Sequence, residues 1–457
     1  MDANTKIKLL IPLTFLLLGL TIKNTVKNLH KKSALKNKKL TNVDRLNSKS
    51  LNQQWICPFD LKQTLDKTKT PKYQLDPNKF IINVSPFGPN NQFHGFRDTI
   101  MLAIYLNRTL ILPKFFKHRS DPSYSKKNFT KNVQDAEEKV DINALSEFIS
   151  IKQFEKLSQV CATGLDVVLE ARRGRDWMNH QLKMYEELSG VKMLNGSDFL
   201  TGKIVHLEAD EQKKLIKMNQ EAVDVAYGSK LRDSDKCVLW WMPFMNLEWP
   251  YMLGNQKHYP NEYRTVTDML LATRRAPSVL KISQSFSKQV MKSSFAAIHW
   301  RYDLKDFGAE FGVCNRGKGV SPVCKWLEKG GFNATDLGTK MLNWLNKLNV
   351  KLGTIYFATP PIEIPFIQNV SKILVASGYQ VYHQTHLREF IRNKFDTCDE
   401  NRFDLQLHDF VSQTEQQLCT DAGIFLASES STWSGAITED RRSRNLTEND
   451  GSNVMFL

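Results

Sequence analysis

The chain has 457 residues, 41% hydrophobic and 24% charged, so it is long enough to bury two or three separate cores. That balance excludes a disordered chain and a disulfide-stapled miniprotein. The formal net charge of +15 calls for an anionic partner, yet no zinc-knuckle spacing and no interleaved basic-aromatic stripe accompanies it, which argues against nucleic acid and for a smaller anion.

The N-terminus carries an apolar run, Leu9 to Ile22, behind Lys6 and Lys8. The run is shorter than a usual membrane span of about 20 residues and suits a signal-peptide core or a short anchor. A cytosolic protein with an apolar N-terminus is the competing reading. From Lys23 to Arg45 the only acid among many lysines is Asp44, which reads as a solvated stalk. Sequons at Asn83, Asn107, Asn128, Asn195, Asn333, Asn369 and Asn445 favour the secretory pathway, although Pro86 behind Ser85 silences the first. The seven cysteines form no CxxC pair, so metal spacing is absent. In an oxidising lumen they allow up to three disulfides, of undetermined connectivity.

Beyond the stalk, Phe80 to Val84 is a short apolar run between turn formers and predicts a buried strand. Gly88-Pro89-Asn90-Asn91 predicts a loop, and Phe93 to Leu106 a helix. Thr109 to Leu112 predicts a second strand, stopped by Pro113. Lys114 to Asp141 reads as a long polar loop. Ile142 to Leu157 and Ile204 to Tyr227 read as helical, and Val238 to Trp241 as a strand. The aromatics Trp240, Trp241, Phe244, Trp249 and Tyr251 read as core or a domain seam rather than a sugar platform. The second half predicts strands at Phe295 to Ile298, Thr354 to Ala358, Tyr379 to Tyr382 and Gly423 to Ala427. It predicts helices at Leu337 to Leu348, Ile364 to Ala376 and Phe410 to Cys419. Alternating strands and helices in both halves imply an α/β fold of two doubly wound, Rossmann-like domains. The division is an anchor and stalk over 1–50, a first domain over 51–280 and a second over 281–457.

In such folds ligands bind at the carboxyl ends of strands. His299-Trp300-Arg301 follows the strand at 295–298 and places an imidazole and a guanidinium on one face. Arg301 suits a diphosphate, because its forked guanidinium stays charged. A surface cation pair beside Asp303 and Asp306 is the plain alternative. Ala427-Ser428-Glu429-Ser430-Ser431-Thr432-Trp433-Ser434-Gly435, after the last strand, offers hydroxyls and N–H groups at a strand-to-helix turn as a phosphate nest or a helix cap. Gly88, Asn90, Asn91 and Gln92 sit at a helix start, where N–H groups favour phosphate or sugar oxygens, but a capped helix start alone accounts for them. Asp233-Ser234-Asp235 lies among Lys230, Arg232 and Lys236 and reads as structural rather than as a metal triplet.

Together these islands resemble the protein O-fucosyltransferases, a branch of the GT-B fucosyltransferases that use GDP-fucose. The resemblance rests on Gly88-Pro89-Asn90-Asn91-Gln92, Leu106-Asn107-Arg108-Thr109-Leu110 with Pro113, His299-Trp300-Arg301, Glu415-Gln416, and Phe425-Leu426-Ala427 with Ser431-Thr432-Trp433-Ser434. The chain departs from the family in three places. The loop lacks the usual Arg and second Gly, it has no counterpart of the Glu that the thrombospondin-repeat branch carries there as a base, and Tyr302-Asp303-Leu304 replaces a Gly-Asp-rich stretch.

The resemblance implies a GT-B-like fold with a cleft between the two domains and inverting transfer of fucose to a Ser/Thr hydroxyl of a secretory-pathway protein. It implies no metal or other cofactor. Arg301 and Asn91 become the catalytic candidates. His299, Gly88, Asn90, Glu415, Ser431, Thr432, Trp433 and Ser434 become the donor-binding candidates. A glycan acceptor, as in the α-1,6 and α-1,2 enzymes, and an inactive GDP-sugar-binding protein are the alternatives. The expected compartment is the lumen of the endoplasmic reticulum or Golgi, with membrane attachment through the N-terminal segment if it is uncleaved.

Overall fold

Short apolar runs of the sequence become the strands of two parallel sheets. The structure, a computed structural model, describes residues 57–452 apart from 59–62, 67, 86–87, 118–120, 122, 126–128, 171–178, 196–198, 201, 209–210, 212–218, 242–256, 258–259, 302–332, 348–351, 396–397, 429–430 and 447–449. The expected anchor and stalk lie outside the described residues. No described helix is long and apolar enough to cross a membrane.

The first sheet contains β1 (Asp76–Val84), β2 (Arg108–Ile111), β3 (Ile151–Lys152), β4 (Val167–Glu170), β5 (Lys203–His206) and β6 (Cys237–Trp241). Its order is β3-β2-β1-β6-β4-β5, with every pair parallel. Around it lie α1 (Pro89–Tyr105), α2 (Ile142–Phe148), α3 (Asn179–Ser189), α4 (Gln220–Ala226) and α5 (Pro260–Ala272). Alternate residues of the strands feed two cores. Ile81, Val167, Leu169, Val238 and Trp240 pack with α1, α2, α4 and α5, while Phe80, Ile82, Val168, Leu239 and Trp241 pack with Leu182 and Tyr185 of α3. Burial on both faces is why these strands read as unbroken apolar runs.

The second sheet contains β7 (Phe295–His299), β8 (Thr354–Ala358), β9 (Gln380–His383), β10 (Ile424–Ala427) and β11 (Gly451–Ser452). Its order is β9-β8-β7-β10-β11, again all parallel. The helices of this half are α6 (Pro277–Phe286), α7 (Ala334–Lys347), α8 (Ile364–Ala376), α9 (Gln384–Lys394), α10 (Glu400–Asp421) and α11 (Thr432–Ser443). Leu337, Met341 and Leu345 of α7 and Ile367, Val370 and Leu374 of α8 cover one face of β7 and β8. In each sheet the chain runs outward from a central strand and then returns to that strand's other side. The switch falls beside β1 in the first sheet and between β7 and β10 in the second.

Several expected elements change. The segment at 204–227 is not one helix, because Lys203–His206 pairs with β4 as an edge strand before α4 begins. The helix expected over 142–157 stops at Phe148, and β-branched Ile149 and Ile151 extend instead, Ile151 pairing with Leu110 of β2. The polar stretch 114–141 holds a two-stranded ladder, Phe115-Phe116 against Val133-Gln134.

The helices of the two sheets meet along a buried polar seam. Arg97 of α1 donates to Asp440 of α11 at 2.5 Å and to Thr273 at 3.0 Å. Lys139 pairs with Asp409 of α10, and Gln134 donates to Gln406 at 2.9 Å. Residues 56–457 accordingly form one compact unit. Disulfides join Cys57 to Cys398 and Cys161 to Cys237, and Cys419 is a buried thiol. Cys314 and Cys324 lie outside the described residues.

Candidate functional site at the strand ends

The carboxyl ends of β7 and β10 stand side by side, since Ile298 is in register with Leu426. Strand alternation then sorts the next residues. Trp300 turns toward α8, stacking on Phe366 at 5.3 Å and donating to Glu363 at 3.1 Å. His299 takes the opposite face. Its ring stacks on Trp433 with centroids 4.1 Å apart, and its Nδ1 lies 2.7 Å from Ser434 Oγ. Trp433 is held in turn by Ser412 of α10 at 3.1 Å. Burial first, and the Arg301 charge second, hold the His299 pKa well below its ordinary value of 6.5. The site therefore pairs a neutral imidazole with a guanidinium.

Ser431 caps the start of α11 through its backbone, with no side-chain cap bond. Its hydroxyl oxygen is buried and has no hydrogen-bond partner among the described residues. The N–H groups of the first turn of α11 point out of the helix end beside His299, an arrangement suited to an anion.

At the end of β1 the loop expected over 88–92 is shorter than the sequence suggested. Gly88 is the N-cap of α1, and the helix starts at Pro89. Proline suits that first position, because its fixed φ is helical and its missing N–H would have no helical partner. Asn90, Asn91 and Gln92 thus lie in the first turn of a helix. Gln92 is structural, with both amide atoms bonded to the backbone of Phe116 at 2.7 and 2.9 Å. Asn90 accepts from Gln416 of α10 at 2.8 Å. Asn91 is different, since its buried side-chain oxygen has no partner among the described residues.

The structure brings these two islands together. His94, one turn into α1, has its Nε2 3.2 Å from the Thr432 carbonyl at the start of α11. The N-terminal turn of α1 therefore meets that of α11, and α10 contacts both, the first through Gln416 and the second through Ser412. The sequence reading missed His94, and nothing local marks it, because its role comes from a residue 338 positions away.

Glu415 lies one strand over, against Thr359 at the carboxyl end of β8, whose Ala358 is in register with His299. It is buried in the second half, accepting from Tyr356 of β8 at 3.0 Å and from Gln384 of α9 at 3.1 Å. Burial raises its pKa to about 8, against the lowering effect of those hydrogen bonds. The neighbouring Gln416, not Glu415, reaches the first turn of α1. Asp233 and Asp235 precede β6 and so lie at the amino edge of the first sheet, away from Gly88. Asp235 accepts from the Arg232 backbone and guanidinium, and Asp233 from Lys79 at 3.2 Å. Trp240 and Trp241 are buried in β6, whereas Phe244, Trp249, Tyr251 and Tyr302-Asp303-Leu304 lie outside the described residues.

No family model matches the sequence, and no curated protein does. Solved structures do. POFUT1 in complex with GDP is 12% identical over 83% of this chain and 98% of that chain, with a TM-score of 0.55. POFUT1 in complex with GDP-fucose is 12% identical over 83% and 99%, at 0.54, and its apo form is 12% identical over 82% and 98%, at 0.53. The likeness is one of fold. This chain has two parallel α/β halves, as the strand pattern led us to expect, in the GT-B architecture that the resemblance implied.

Proposed function

We propose that this chain is a GDP-fucose-dependent fucosyltransferase acting in the lumen of the secretory pathway. One observation carries the reading. His299, the backbone of Arg301 and the first turn of α11 converge at the topological switch point of the second sheet, where doubly wound folds bind nucleotides. The first turn of α1, with the unpartnered Asn91 oxygen, closes on the same place from the other half. The fold it shares with POFUT1, which has been crystallised with GDP and with GDP-fucose, supports the choice of donor. The two disulfides support an oxidising compartment.

In this reading the diphosphate lies across the start of α11, against Arg301 and the neutral His299, with Ser431, Thr432, Trp433 and Ser434 forming the turn around it. Ser431 Oγ supplies a buried hydroxyl for a phosphate oxygen. Gly88 and Asn90 shape the facing turn, and Asn91 holds the sugar or the acceptor hydroxyl. An acceptor hydroxyl oxygen forms a bond to the anomeric carbon from the face opposite GDP. The bond from that carbon to the β-phosphate oxygen breaks with its electron pair on the phosphate, and the hydroxyl proton leaves to solvent. Arg301 stabilises the charge that builds on the β-phosphate, and inversion follows from the direction of attack. With no carboxylate among residues 88–92, leaving-group stabilisation is the main catalytic contribution. The acceptor we propose is a Ser/Thr hydroxyl of a folded protein, with a free oligosaccharide as the competing substrate in the same assay.

The test is calorimetric titration of the full chain with GDP and GDP-fucose, wild type and Arg301→Ala, with and without EDTA. We expect metal-independent binding that weakens about 10- to 100-fold in the variant, the range for a lost charge-assisted hydrogen bond. A folded wild type that binds neither nucleotide would overturn the donor assignment. Binding abolished by EDTA would overturn the metal-free scheme.

A further inference from the structure

Paired residues between β7 and β10 end at Ile298 and Leu426. Beyond that point one side chain takes over the work of the ladder. Ser428 Oγ donates to the His299 carbonyl at 2.7 Å and accepts from the Arg301 N–H at 3.1 Å. The Ser428 N–H donates to Ser434 Oγ at 2.9 Å, the same oxygen that lies 2.7 Å from His299 Nδ1. On the opposite edge, the Trp300 N–H donates to the Ala358 carbonyl of β8 at 2.9 Å. Residues 299, 300 and 301 are thus fixed from both neighbouring strands. Ser428 is only 3% exposed, so water does not compete for these bonds.

A hydroxyl can donate to one residue and accept from another at the same time, which neither Ala nor Val can do. Without it the His299 carbonyl and the Arg301 N–H would lose partners together, just where the chain leaves the sheet. Arginine is a long lever. A small rotation of its backbone moves the guanidinium by a distance that matters, since misplacement by about 1 Å costs on the order of 100-fold in a phosphoryl or glycosyl site.

We propose that Ser428 is a positioning residue, which sets the direction in which the Arg301 side chain leaves β7 toward the donor phosphates. The proposal rests on the GDP-fucose reading above. Ser428 itself touches no reacting atom in this scheme and acts through Arg301.

The experiment is a double-mutant cycle read as GDP affinity, which needs no acceptor. Wild type, Ser428→Ala, Arg301→Ala and the double variant are titrated with GDP by calorimetry, and far-UV circular dichroism checks the fold of each. We expect Ser428→Ala to weaken GDP about 10-fold and to add less than about twofold in the Arg301→Ala background. Ser428→Cys, similar in size but a weaker hydrogen-bonding group, should fall between wild type and Ser428→Ala, and it carries the comparison if the alanine variant does not fold. Wild-type affinity in Ser428→Ala would overturn the proposal. So would an undiminished loss in the Arg301→Ala background, which would assign the effect to His299 and Ser434. A wild type that binds no GDP fails before any variant is compared, and that result falls on the donor reading and takes this proposal with it.

Discussion

Glu415 shows how a single buried carboxyl can be read in two ways. The resemblance made it a donor-binding candidate, and in the structure its oxygens are bonded to Tyr356 and Gln384 inside the second half. Burial keeps its proton on to about pH 8, against an ordinary value of 4.5. Between those values the folded chain holds a proton that the unfolded chain has released. The contribution to stability is therefore complete below the unfolded value and is lost as pH rises through the folded one. Glu415→Gln keeps the shape and cannot ionise, and the Gln384 amide can turn its oxygen toward the new N–H group. Urea unfolding at about pH 6 and about pH 8.5 should show the wild type losing stability relative to Glu415→Gln at the higher pH. Parallel profiles for the two proteins would mean that Glu415 does not titrate in this range. The same reasoning separates Arg301 from Glu415 as targets. Arg301→Ala should change GDP affinity with little change in stability, while Glu415→Gln should do the reverse.

At the scale of elements, what was legible followed from where each element buries its apolar face. β1, β6, β7 and β8 were legible because burial on both faces makes them short apolar runs, and α8 was found at its observed limits, Ile364–Ala376. α11 was signalled only at its cap, because after Trp433, Ala436 and Ile437 its buried face continues with Glu439, Asp440 and Arg441, which breaks the apolar period. α10 extends ten residues before Phe410, where Phe403, Leu405 and Leu407 alternate with Asp404 and Gln406 at a strand-like period of two. His299 and Arg301 were legible as a strand end. Ser428 was legible only as one hydroxyl of the stretch after the last strand, and His94 not at all, because their partners lie in other elements. The polar helices also make a prediction. Arg441 is fully buried and donates to both oxygens of Asp450 at 2.7 Å and to the carbonyls of Thr420 and Leu446 at 2.9 and 2.7 Å. Lysine keeps the charge but not the fork, and methionine leaves the Asp450 carboxylate without its cation, held only by the Phe425 N–H at 2.9 Å. Arg441→Met should lower unfolding free energy by about 3–5 kcal/mol, and Arg441→Lys should recover only part of it. Equal stability of both variants and wild type in urea would show that this network contributes nothing net.

For the whole molecule, the question is what keeps the two halves in register, since the candidate site takes one turn from each. The seam of Arg97, Lys139, Asp409 and Asp440 is one tie. A second tie begins just after the stalk. Cys57 is bonded to Cys398 between α9 and α10, whereas Gln63, six residues on, donates to the carbonyls of Glu137 and Val140 at 2.6 and 2.7 Å and accepts from the Ile142 N–H at 2.9 Å. This segment therefore straps the second half to the first. Cys161–Cys237 closes a much shorter loop, entirely within the first half. Replacing Cys57 and Cys398 together by serine should cost about 2–5 kcal/mol of stability. GDP affinity should stay within about twofold of wild type, because in the proposed scheme most donor contacts lie in the second half and the seam still holds the α1 turn against α11. Replacing Cys161 and Cys237 should likewise destabilise the fold, but it should not expose the segment near Gln63 to protease. Limited proteolysis of the two variants distinguishes the ties. Cleavage near residue 67 that speeds up only in the Cys57/Cys398 variant identifies a strap across both halves, and equal cleavage in both would reduce that disulfide to a local staple.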